Sequence, residues 1–273
     1  MNSLNTIPIN EIPAIDIHSH TGSVHAFSAT DCIENGTTEY LLRTMKLANI
    51  KISANTSRYA IMPRGSGYSV EGNRQMLKVT EEEGVFMWVT VDPHEPDTFN
   101  QAADYLKHPK VIGIKIHPEE HEYELEKEGD KLFSFAAKQN VPILGHAGAK
   151  SCMPETYGFF ADRFPEIPVI AAHLGSGFDG DPGHHIRAIR ESRGGNLYTD
   201  TSSMMSLVSN LLEYAIGIMG ADHILFGTDS GNYFSPCQRA RIDGAFISDC
   251  DKKKILFENA LKLFPKLESV YLS

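Results

Sequence analysis

The sequence has no CxxC pair, and its four cysteines, Cys32, Cys152, Cys237 and Cys250, are scattered along 273 residues. A disulfide framework is therefore not expected, and a reducing, cytoplasmic location is. Basic charge is also short: Lys+Arg is 25 against Asp+Glu 35, a formal net charge of −10. Such a chain lacks the basic footprint that nucleic acid or an anionic membrane surface requires. No apolar run reaches the length of a membrane span, and Met1–Asn10 lacks the basic and apolar regions of a secretory leader. Nor is there a low-complexity linker or a composition break, so residues 1–273 are expected to form one domain. Hydrophobic residues at 41% and charged residues at 22% are ordinary for a globular chain, which excludes a disordered or fibrous one.

Short apolar, β-branched segments alternate with amphipathic stretches. Strands are expected at Ala14–His18, Ile50–Ala54, Val85–Val91, Val111–Ile116, Val141–Gly145, Pro168–Ala172, Leu197–Thr201 and His223–Thr228. Helical spacing marks Thr38–Ala48, Gly72–Glu83, Asp97–Lys107, Asp130–Gln139, Pro154–Phe164, His185–Glu191, Leu207–Met219 and Asp251–Phe264. Eight strand–helix units in this length predict a (β/α)₈ TIM barrel with a parallel sheet. An open doubly wound sheet would place a glycine-rich phosphate loop after its first strand. Here that strand ends in Asp16-Ile17-His18-Ser19-His20, and the Gly65-Ser66-Gly67 triplet reads as a loop.

Five expected strands end in groups that bind metals or move protons: His18 and His20, Lys115 and His117, His146, His173, and Asp229. Strand alternation points Asp16, His18 and His20 inward while Ile15 and Ile17 face the helices. Gly113, Lys115 and His117 alternate likewise with Ile112, Ile114 and Ile116. Taken singly, a His-x-His pair is often a surface turn, and Asp229 could be a helix cap. Gathered at one barrel mouth, imidazoles and a carboxylate suit zinc or another divalent first-row ion. His184 and His185 read as a loop and cap, and His25, His94, His108, His121 and His223 show no partner pattern. The acidic run from Glu119 to Glu128 reads as a solvated loop or helix face. Ser202, Ser203 and Ser206 lack the G-x-S-x-G elbow of a nucleophile.

Together Asp16-Ile-His18-Ser-His20, Gly113-Ile-Lys115-Ile-His117-Pro118, Leu144-Gly-His146-Ala-Gly148, Ala172-His173-Leu-Gly175, Phe226-Gly-Thr-Asp229 and Glu258-Asn259-Ala-Leu form an ordered set. This set resembles the amidohydrolase superfamily, most of all the amidohydrolase-related branch that includes aminocarboxymuconate-semialdehyde decarboxylase. The resemblance runs from about Ala14 to Phe264. It implies one divalent metal, usually zinc, held by His18, His20, His146 and Asp229. It also implies that His173 polarises the substrate or shuttles a proton, while Asp229 doubles as proton acceptor. Lys115 and His117 become substrate-binding candidates. A second metal would enter only if Lys115 were carboxylated, as in binuclear members; one metal is the favoured count.

On this resemblance the leading expectation is an enzyme, a hydrolase in which a metal-activated water attacks an amide, ester or lactone of a small anionic substrate. The alternative is nonoxidative decarboxylation of an aromatic or unsaturated acid; short loops tilt the reading toward hydrolysis. A barrel that binds without catalysis is disfavoured, since no ligand position is substituted. Arg58, Arg64, Asn73, Tyr233, Arg239 and Arg241 read as surface or structural residues before substrate contacts. A small molecule is the expected partner, and a homo-oligomer is left open.

Overall fold

The computed structural model describes residues 8–22, 36–62, 64 and 68–273, so His25, Cys32 and the Gly65–Gly67 triplet lie outside the described residues. Eight parallel strands form one sheet in sequential order: β1 (Ala14–Thr21), β2 (Ile50–Ser57), β3 (Val85–Thr90), β4 (Val111–Ile116), β5 (Ile143–Gly145), β6 (Val169–Ala171), β7 (Leu197–Asp200) and β8 (Ile224–Leu225). The β8 ladder is only two residues long, but the chain beyond it pairs with β1. Ile17 N donates to Phe226 O at 3.0 Å, His20 N to Ser230 O at 2.9 Å, and Asp229 N to His18 O at 2.7 Å. These bonds close the sheet into a (β/α)₈ barrel.

Helices α1 (Thr38–Leu47), α2 (Arg58–Ile61), α3 (Ser69–Val79), α4 (Asp97–Tyr105), α5 (Leu125–Gln139), α6 (Pro154–Arg163), α7 (His184–Glu191) and α8 (Leu211–Met219) lie between the strands. α9 (Ser235–Asp243), α10 (Asp249–Lys253), α11 (Asn259–Leu263) and α12 (Glu268–Leu272) follow β8, with a π-helical turn at Lys254–Glu258 between α10 and α11. No described helix is long and apolar enough to cross a membrane. α5 starts five residues before the expected Asp130, so Glu126 and Glu128 occupy its first turn, where the helix dipole favours negative charge.

Every residue of β1, β3 and β4 is buried, because one face meets the helices and the other fills the barrel. The Trp88 indole on β3 reaches past β2 to donate to Ile17 O on β1 at 2.8 Å, and the Phe264 ring packs edge-on against it. Its neighbour in register is Gly113, where a Cβ would stand 2.6 Å from the indole and 2.5 Å from Pro142 O. The end opposite the strand C-termini is sealed by the chain's last helices. Arg239 donates to Ile12 O at 2.8 Å and Ile9 O at 2.7 Å, and Tyr271 Oη to Pro13 O at 2.7 Å. Arg239 is thus a structural tie. Asn73 likewise brackets the Thr90 backbone, and Arg241 pairs with Glu213.

Candidate metal centre and active site

The barrel brings the C-terminal strand ends to one mouth, and a cavity of about 290 Å³ opens there. Its wall holds every candidate residue: His18, His20, Lys115, His117, His146, His173 and Asp229. Ile61, Met62 and Tyr233 add apolar surface, and Glu119, Glu120 and Asn232 line the rim. A larger groove of about 610 Å³ lies at the opposite end, around the turns after α3 and α4, and contains none of these groups.

β1 delivers His18 and His20 on one face, two residues apart. His18 Nδ1 lies 2.8 Å from Asp200 Oδ2, and its Nε2 lies 2.8 Å from Lys115 Nζ. His20 Nδ1 meets Thr56 Oγ1 at 2.7 Å, while its Nε2 faces Asp229 Oδ1 at 2.8 Å. Asn232 Nδ2 donates to that same carboxylate oxygen at 3.0 Å. His173 Nε2 lies 3.0 Å from His146 Nδ1, and the His146 ring stacks on His117 at 4.2 Å between centroids. The ligand atoms of His18, His20 and Asp229 all fall within 4.8 Å of one another, and so do those of His18, His173 and Asp200. His146 stands beside the first group, turned toward His173.

Backbone strain collects here. His173 and Asp229 both adopt left-handed conformations, with φ of 72° and 53°. Side chains other than glycine pay for this region, and surrounding structure must hold them there. Asp229 is held by the bonds to β1, and His173 by its own N–H, which donates to Asp200 Oδ1 at 3.0 Å.

Burial favours the neutral form of four of these imidazoles, His20, His117, His146 and His173. Burial pushes His20 down to about 4 and His146 down to about 3, the latter with help from the nearby Lys115 charge. Burial, with His146 alongside, also takes His173 and His117 well below the usual imidazole value. Burial opposes ionisation of Asp229, yet the His20 hydrogen bond together with the facing His20, His173 and His18 rings outweighs it and holds the carboxyl below its ordinary range. Burial lowers the Lys115 ammonium to about 8, against the pull of Asp200 and Asp229. Neutral imidazoles and an ionised carboxylate are the coordinating forms. Each β1 histidine also has its far nitrogen fixed by an oxygen partner, the outer-shell arrangement that orients metal ligands. The donor set fits a divalent cation.

Two residues escape the sequence reading. Asp200 ends β7 on the inward face and touches both His18 and His173, and Ser202 sits between it and the two rings. The inward position of Asp200 in Leu197–Asp200 was the available signal. His185 also differs from its expected loop-and-cap role: it is buried, with Nε2 2.7 Å from Ala172 O. His121 is buried too, 2.9 Å from Ala60 O, and Arg64 pairs with Glu120 at the rim.

A parallel eight-stranded barrel with histidines and a carboxylate converging at its mouth defines the metal-dependent barrel enzymes as a class. The amidohydrolase family model matches residues 33–266, and the chain belongs to that family. The match begins after β1, so the His18–His20 pair enters through geometry. No curated protein matches the sequence. Among solved structures, a 2,6-dihydroxybenzoate decarboxylase complexed with 2,6-dihydroxybenzoate has a TM-score of 0.73 at 13% identity, covering 93% of this chain and 98% of that one. A putative amidohydrolase from Staphylococcus aureus has a TM-score of 0.70 at 16% identity, covering 93% and 99%. A 5-carboxyvanillate decarboxylase from Novosphingobium aromaticivorans, complexed with manganese and 4-hydroxy-3-methoxy-5-nitrobenzoic acid, has a TM-score of 0.70 at 12% identity, covering 97% and 99%.

Proposed function

We propose that this enzyme is a metal-dependent decarboxylase of a compact aromatic or unsaturated carboxylic acid. The observation that carries the reading is the buried Lys115 ammonium, among the described residues the one lysine or arginine lining a cavity of about 290 Å³ whose deep wall is otherwise built of imidazoles and Asp229. A fixed cation in a small, partly apolar pocket selects a small organic anion. The likeness to two decarboxylases over nearly their whole lengths supports the same reaction and turns the balance away from the hydrolysis that the sequence favours.

His18, His20, His146 and Asp229 would hold the ion. When bound, a divalent ion supplies a fixed positive charge for the substrate's oxygens. Zinc is the sequence-based expectation, and manganese is bound by one of the similar structures. Lys115 and His117 would orient the substrate carboxylate. The bond from the substrate carbon to its carboxylate breaks, CO₂ departs, and the electron pair stays on carbon. That carbon takes up one proton, which Asp229, open to the cavity, relays from solvent water.

Hydrolysis is the second reading, favoured by one observation: the depressed Asp229 carboxyl is a resting base, suited to taking a proton from water. Turnover of a panel of aromatic carboxylates, esters, lactones and amides separates the two. Evolution of CO₂ with one proton consumed supports decarboxylation; acid release without CO₂ overturns it in favour of hydrolysis.

A further inference from the structure

Two histidines of the mouth turn their Nδ1 atoms toward one point behind it. His18 Nδ1 lies 2.8 Å from Asp200 Oδ2 and 3.1 Å from Ser202 Oγ. His173 Nδ1 lies 2.7 Å from the same Ser202 Oγ, which also hydrogen-bonds Asp200 Oδ1. That carboxylate oxygen accepts the backbone N–H groups of His173 and Ser202 as well, each at 3.0 Å. Asp200 and Ser202 are both fully buried, so no water competes for these bonds.

Counting protons fixes the direction of every bond. Asp200 Oδ1 already accepts two backbone N–H groups, so it acts as an acceptor toward Ser202 as well. The Ser202 hydroxyl has one proton, and the bond to Asp200 takes it. Its oxygen then offers only lone pairs to the imidazoles, so His173 Nδ1 must carry hydrogen, as must His18 Nδ1. We propose that Ser202 is a positioning residue that, with Asp200, locks His173 as the Nδ1–H tautomer and presents an unprotonated Nε2 to the mouth. His146 Nδ1 then donates to His173 Nε2 across the 3.0 Å gap. His173 therefore begins the cycle as a lone-pair donor or proton acceptor, not as the resting acid. The same bonds hold the left-handed backbone of His173 against its strain.

The tautomer assignment does not depend on which reaction occurs; its effect on turnover rests on the proposed decarboxylation. The test is long-range ¹H–¹⁵N correlation of the histidine rings in the full-length ¹⁵N-labelled chain, after chelation and again with zinc added. His173→Asn identifies the His173 signals by their loss. The expected result is a protonated Nδ1 and an unprotonated Nε2 in both states. Ser202→Ala should shift the ring toward the Nε2–H form, and Ser202→Thr, which keeps the hydroxyl, should restore Nδ1–H. An Nε2–H ring in the unmodified chain, or an unchanged tautomer in Ser202→Ala, overturns the proposal. If Ser202→Ala does not fold, the unmodified and Ser202→Thr spectra still decide it. In the working enzyme Ser202→Ala should lower kcat by about tenfold, the equivalent of one lost hydrogen bond, with KM little changed and with rescue by threonine. A chain that releases no CO₂ leaves the spectra standing, so failure of the reaction and failure of the tautomer lock are told apart.

Discussion

The Lys115 ammonium stands 2.8 Å from His18 Nε2, so two groups from β4 and β1 that are 97 residues apart share one hydrogen bond at the bottom of the cavity. The imidazole nitrogen offers its lone pair to a cation, and in a loaded site the lysine must yield that lone pair and turn to the substrate. Lys115→Met should leave metal content at one equivalent and raise KM for an anionic substrate roughly 10–100-fold, the range for losing one charged hydrogen bond. Metal analysis beside steady-state kinetics checks this. Loss of a second equivalent would instead mean that a carboxylated Lys115 bridges two ions.

Metal dependence comes next. Purified protein should carry about one equivalent of a divalent ion, since a catalytic zinc-type site uses three or four protein ligands. Chelation should abolish turnover yet leave the barrel folded, because the hydrophobic core that holds the strands and helices together includes none of the candidate ligands. Elemental analysis with circular dichroism before and after chelation measures both; full activity without metal would sink the assignment.

Asp229 and His173 separate proton transfer from metal retention. Asp229→Asn keeps the size of the side chain but removes the proton acceptor, and kcat should fall roughly 10²–10⁴-fold. His173→Asn should fall similarly while retaining metal. Loss of metal from His173→Asn would move that residue, with His146, into the coordination sphere.

His184 offers a pH-dependent contact away from the mouth. Its Nδ1 meets Glu155 at 2.7 Å with the Arg187 guanidinium 3.0 Å away, and its Nε2 meets Asp179 at 3.0 Å, so a carboxylate on each side favours the protonated ring. Partial burial opposes the charged ring, but these two bonds outweigh it and raise its pKa above 6.5. A raised folded-state pKa means the stabilisation is complete below about 6.5, the unfolded value, and disappears as pH climbs through the folded one. The Tm difference between the unmodified chain and His184→Gln should therefore be larger at acidic than at alkaline pH. A larger difference at alkaline pH would falsify this.

Gly113 tests the barrel interior. A methyl there would collide with the Trp88 indole and Pro142 O, and one of those contacts is backbone that cannot swing aside. Gly113→Ala should cost about 1–3 kcal/mol, the usual range for overpacking, read from urea denaturation.

The periodicity of apolar residues was enough to specify eight strands and their helices, because burial demands alternation within β1 and β4 and helical spacing between them. The same alternation placed His18, His20, Lys115 and His117 inward, and barrel closure made neighbours of His146, His173 and Asp229. Boundaries were less legible. α5 begins at Leu125 because dipole and packing extend it through an acidic turn that composition alone assigns to loop or helix face alike. What only the tertiary structure decided was how these side chains pair. Asp200 ends β7 and Ser202 follows two residues later, with no metal-binding motif around them, and both become part of the site only because the closed barrel sets this strand end beside the rings of His18 and His173. His185 was unreadable for the same reason: its partner is the carbonyl of Ala172, thirteen residues away, and a hydrogen bond to backbone leaves no trace in residue type. Sequence carries the period of burial, whereas the direction of a hydrogen bond depends on distances that exist only after the chain has closed.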